Sequence, residues 1–64
     1  MIVKKYTIAG ELYAVYNYGD GWDVKDLKRN RVIEEGCSFK DAIECMYEDA
    51  IGYVPAHYAL EVDA

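Results

Sequence analysis

Asp41, Glu44 and Glu48 stand three and four residues apart, a spacing that brings side chains onto one face of a helix, about one turn from the next. A row of this kind does electrostatic rather than covalent chemistry. With Asp49 beside it, the row offers successive negative charges to a cationic surface, such as one that ordinarily holds nucleic-acid phosphates. An acidic outer face is also the ordinary way for a helix to meet water. The formal charge of −5, from twelve Asp plus Glu against seven Lys plus Arg, favours the collective reading and repels phosphate and anionic membrane at long range.

The cations are concentrated as well. Lys25, Lys28, Arg29 and Arg31 lie in and around one turn, where they could hold RNA or DNA by phosphate contact beside stacking aromatics. The negative balance of the whole chain opposes direct nucleic-acid binding, and no glycine-flanked aromatic signature accompanies the cluster. A solubilising edge loop is the simpler role.

Tyr6, Tyr13, Tyr16, Tyr18, Trp22, Tyr53 and Tyr58 form a third set. Tyrosine and tryptophan suit interfaces because one end packs and the other hydrogen-bonds. Tyr6, Tyr16 and Trp22 are expected in the core. Tyr13 and Tyr18 are expected to be partly exposed and are candidates for a partner or dimer contact.

The remaining combinations point away from catalysis and metal. Asp20, Asp23 and Asp26 lack the regular oxygen ligands and terminal Glu of an EF-hand, so turn chemistry is the better account. Cys37, Cys45 and His57 are one ligand short of a closed structural zinc site and have no paired CxxC spacing. At about 1.5 Å of rise per residue the two cysteines fall near 10 Å apart, too far for a disulfide. No Ser/His/Asp order and no glycine-rich phosphate loop is present, and no cofactor is implied; a non-enzyme is expected.

The element that must carry the acidic row is the best marked in the chain. Ser38 is suited to cap a helix with Asp41 as its capping-box acid, and Gly52 followed by Pro55 supplies a stop. Between them Phe39, Ala42, Ile43, Met46 and Ala50 share one face, with Tyr47 at its margin, opposite the carboxylates. The helix is predicted over Phe39–Ile51. Upstream, alternation predicts strands over residues 2–8, 12–18, 22–26 and 32–35. The turns between them are Ala9-Gly10-Glu11, Gly19-Asp20-Gly21 and 27–30, the last with Asn30 suited to a left-handed position. The second strand is apolar on both faces and reads as central; the fourth, with Glu34 and Glu35, reads as an edge. Residues 57–62 alternate and predict a closing strand, with a short helix started by Pro55 as the alternative.

The fold class is therefore α+β: a small antiparallel sheet packed on one amphipathic helix, in the order β-β-β-β-α-β, as one domain over 1–64. A chain of 64 residues buries only about 60% of its unfolded surface, and about 3 to 5 kcal/mol of stability is expected from such a core. No apolar run reaches the roughly 20 residues that span a bilayer, and no extended apolar stretch follows Met1, so the cytoplasm is the expected compartment. In composition the chain resembles small acidic proteins of mobile elements that block host defence nucleases. The expected function is an inhibitor or adaptor whose acidic helix face occupies the basic, nucleic-acid-binding surface of a partner. Two rivals are a structural homodimer joined by a sheet edge or a tyrosine-rich face, and direct RNA or DNA binding through Lys25, Lys28, Arg29 and Arg31.

Overall fold

The computed structural model describes residues 2–58. These residues form a four-stranded antiparallel meander followed by one helix: β1 (Ile2–Ile8), β2 (Glu11–Asn17), β3 (Trp22–Asp26), β4 (Arg31–Cys37) and α1 (Phe39–Ile51). Strand order in the sheet is β1-β2-β3-β4, so β2 and β3 are central and β4 is an edge.

Local chemistry sets each reversal. Ala9 and Gly10 both have positive φ, +51° and +80°, the mirror-image turn whose twist matches that of the strands it joins. At the β3–β4 turn the Asp26 carboxylate accepts the backbone N–H groups of Lys28 (3.0 Å) and Arg29 (3.1 Å), while Asn30 takes φ +55°. The β2–β3 tip depends on Gly21, where φ is +115° and a Cβ would stand 3.0 Å from the Gly36 carbonyl carbon. A side chain there would push the start of β3 away from the end of β4.

The register aligns Tyr6 with Tyr13 and Tyr13 with Asp26. Between β3 and β4 it shifts twice, from Trp22↔Cys37 to Val24↔Glu34 and then to Lys25↔Val32. Shifts of this kind bend and twist the bulged strand. One sheet face packs on α1: Tyr6, Ile8, Tyr13, Val15 and Val24 meet Ala42, Ile43, Met46 and Tyr47, with Trp22, Ile33 and Phe39 around them. The Trp22 and Phe39 rings meet edge to face at 4.9 Å, and the Lys4 ammonium lies 5.1 Å from the centre of the Phe39 ring.

Two tyrosines sit opposite to expectation. Tyr13 has no solvent exposure, whereas Tyr16, expected in the core, is half-buried on the sheet face away from α1. Both faces of β2 are apolar, so alternation separates them without saying which faces inward. Tyr13 takes the inner face because its phenol end reaches a carboxylate: its hydroxyl donates to Asp49 Oδ2 at 2.7 Å. A buried Tyr needs such a partner.

At the far end of α1, Gly52 adopts φ +86° and its N–H bonds the Glu48 carbonyl at 2.9 Å. The chain then returns along the helix, bringing the Tyr58 ring to 5.0 Å from that of Tyr47. His57 and Tyr58 are irregular; the rest of the expected closing strand, residues 59–62, lies outside the described residues. Among those described, no helix is long and apolar enough to cross a membrane.

Candidate partner-binding face

The helix starts where its cap dictates. Ser38 is extended at φ −69°, ψ 160°, and its Oγ accepts the Asp41 N–H at 3.1 Å, satisfying a donor that would otherwise lack a partner in the first turn. This phase turns Ala42, Ile43 and Met46 onto the sheet and leaves Asp41 and Glu48 exposed, with Glu44 half-buried between them. Asp41 also places a negative charge in the first turn, where the helix dipole favours it.

Asp49, expected to join this row, is turned toward the sheet instead. Its Oδ2 accepts from Tyr13 and its Oδ1 accepts from Arg31 Nη2 at 2.9 Å. One further step around the helix from Glu48 reaches the boundary of the apolar stripe, and there the side chain closes over the core.

The expected basic cluster is drawn into the same network. Arg29 Nη1 bonds Asp26 Oδ2 at 2.9 Å and Glu11 Oε2 at 3.0 Å. Lys28 Nζ lies 4.0 Å from Glu11, and Arg31 Nη2 lies 3.6 Å from Asp26 in addition to its bond to Asp49. Three of the four cations are thus held by the chain's own carboxylates, while Lys25 lies on the sheet face away from α1. Asp26 is the centre of the network, without solvent access yet just beneath the surface. Burial alone raises its pKa. The Arg29 guanidinium and the N–H groups of Arg29 and Lys28 outweigh that and hold it below the ordinary 3.8.

Glu34 adds an acidic group that spacing along the helix does not reveal. It comes from β4 and accepts a bond from Cys45 Sγ at 3.6 Å, so it borders the outer helix face beside Glu48. Burial, then the Glu34 charge and this bond, with Cys37 and Glu48 contributing, push the Cys45 thiol from 9.0 up to about 11. Both cysteines are free. At pH 8 Cys45 carries on the order of a hundredfold less thiolate than an ordinary thiol, and alkylation needs the thiolate. Iodoacetamide is therefore expected to label it slowly, and Glu34→Gln to speed the labelling. Labelling at the rate of an unfolded control would show that Glu34 does not act on the thiol.

Among the described residues no group of three or more His, Cys, Asp or Glu side chains is arranged to hold a metal ion. A hollow of about 410 Å³ lies between β4 and α1, lined by Arg31, Val32, Ile33, Cys45, Glu48 and Asp49. Tyr18, the second expected contact tyrosine, is 68% exposed and packs edge to face on Tyr16 at 5.4 Å. It belongs to the opposite side of the molecule. Compared with known proteins, the chain matches no family model, no curated protein and no solved structure.

Proposed function

We propose that this chain is a non-enzymatic binding protein whose outer helix face, Asp41, Glu44 and Glu48 extended by Glu34, docks on the basic surface of a partner protein. The partner surface is one that ordinarily binds nucleic acid, and occupation by the acidic face blocks it. One observation carries this reading. The neighbouring cations Lys28, Arg29 and Arg31 are committed to Glu11, Asp26 and Asp49, whereas among the described residues Asp41, Glu44 and Glu48 have no ion-pair partner. An internally neutralised network beside an unneutralised row leaves that row's field directed outward, where it steers a cationic partner. Free thiols at Cys37 and Cys45 suit the reducing cytoplasm.

The test is capture of partners on the immobilised chain at low salt, with the Glu44→Lys, Glu48→Lys double variant beside it. The expected result is retention of a nucleic-acid-binding protein that added DNA or RNA displaces. Association should slow as salt rises through the screening range, and the double variant should lose about tenfold or more in on-rate. A partner held equally by the double variant, or at a rate indifferent to salt, would reject the acidic face as the docking surface.

A further inference from the structure

Among the described residues no element covers the sheet face turned away from α1, and the residues of that face follow from the register. Along β2 it carries Leu12, Ala14 and Tyr16, with Tyr18 just beyond the strand; Ala14 aligns with Lys5 on one side and Lys25 on the other, and Tyr16 aligns with Asp23. Tyr18 is 68% exposed, and Val3 and Val32 on the flanking strands are exposed as well. Among the described residues no carboxylate pairs with Lys25. Asp23 Oδ1 accepts the Gly36 N–H at 2.9 Å, leaving its second oxygen available to a cation.

The order of these residues is self-complementary. From one end of β2 to the other it runs medium, small, large, large: Leu12, Ala14, Tyr16, Tyr18. A two-fold axis lying across the strands, between the levels of Ala14 and Tyr16, inverts that order in a second copy. It sets Tyr16 on the partner's Ala14 and Tyr18 on the partner's Leu12. The same axis sets Lys25 opposite the partner's Asp23, and each contact then occurs twice, as an isologous interface requires. A two-fold running along the strands would instead put Lys25 on the partner's Ala14 and leave Tyr16 facing Asp23, losing both the fit of volumes and the fit of charge.

We infer that this open face is a homodimer interface in which two copies of the chain pack sheet on sheet, with β2 antiparallel to its counterpart and Lys25 paired to the partner's Asp23. Strands of about seven residues, spaced about 4.8 Å apart and rising about 3.3 Å per residue, give the face a projected area on the order of 400 Å². Sealing two such faces removes on the order of 1,000 Å², the threshold for a specific interface. The tyrosines make good anchors because they bury large area with few rotatable bonds. The second copy also relieves the shortage of core in so short a chain. Since α1 covers the other side of each sheet, the dimer leaves both acidic helix faces pointing outward, so it goes beyond the docking proposal and stands or falls separately from it.

Sedimentation equilibrium of the full chain tests it. The expected result is reversible association to twice the chain mass, with no larger species. Lys25→Asp faces the partner's Asp23 with a like charge and is expected to weaken the dimer about tenfold or more. Mixing Lys25→Asp with Asp23→Lys is expected to yield a mixed dimer, because both cross-contacts then regain opposite charges. Tyr18→Glu changes an exposed side chain, leaves the fold intact by circular dichroism, and is expected to weaken association as well. A chain that stays monomeric at millimolar concentration overturns the inference. So does a dimer that Lys25→Asp and Tyr18→Glu leave unchanged, since its contact would lie elsewhere. If the single variants weaken the dimer and mixing restores nothing, the two-fold register is wrong.

Discussion

Replacing Met46 by alanine is expected to leave the chain largely unfolded at room temperature. Met46 has no solvent exposure and lies at the centre of the contact between α1 and the sheet, among Tyr13, Val15, Val24, Ala42 and Ile43. Deleting a buried Met side chain costs about 2 to 5 kcal/mol, from lost transfer free energy and the cavity that remains. A single core of this size supplies about 3 to 5 kcal/mol in total. The two figures are comparable, so the variant has little stability left. Met46→Leu conserves volume and is expected to cost less than about 1.5 kcal/mol. Urea titrations of the three proteins followed by circular dichroism check the ordering. A Met46→Ala chain with a midpoint close to that of the parent would mean that the helix is held by something other than this packing.

Neutralising Asp26 is the second large effect, and its dependence on pH identifies the cause. Asp26→Asn keeps an oxygen for the N–H groups of Lys28 and Arg29 but removes the charge that faces Arg29 at 2.9 Å and Arg31 at 3.6 Å. The two arginines are half-exposed and keep Glu11 and Asp49 as partners, so the loss is that of charge-assisted hydrogen bonds to a carboxylate that itself has no solvent access. A fall in Tm on the order of 10 °C is expected at neutral pH for a domain of this length. The folded carboxyl is held below 3.8, so its contribution is fully present above that value and is lost as the pH falls through the lower folded value. Acidification should therefore destabilise the parent more than the Asn variant, and their Tm values should converge well below pH 3.8. An equal gap at neutral and strongly acidic pH would show that shape, rather than charge, accounts for the loss.

The same network explains why one part of the acidic set remains available and another does not. Asp49 and Glu48 are neighbours in sequence and identical in charge, yet Asp49 is joined to Tyr13 and Arg31 while Glu48 has no ion-pair partner among the described residues. Their difference arises from one step of rotation around α1 and from the position of β4, which brings Arg31 to the helix. Charge reversal at Asp49 would consequently report on folding, and reversal at Glu44 and Glu48 on docking.

Short-range signals settle much of this fold. Ser38 and Gly52 mark both ends of α1, since capping involves groups only a few residues apart in the chain. Gly10, Gly19, Gly21 and Asn30 mark the reversals because positive φ is a property of single residues. Apolar periodicity assigned Ala42, Ile43 and Met46 to the buried side for the same reason: a helix fixes its own angular spacing.

What depends on partners distant in sequence could be decided only in three dimensions. The inward face of β2 and the capture of Asp49 by Tyr13 and Arg31 join residues many positions apart. Glu34 reaches Cys45 only after β4 has folded beside α1. The residues themselves determined that a negatively charged helix would form and where it would begin and end. The tertiary structure decided which of its charges are neutralised from within, because the strength of an ion pair depends on distance and on solvent access, and neither is encoded by spacing along a single strand or helix.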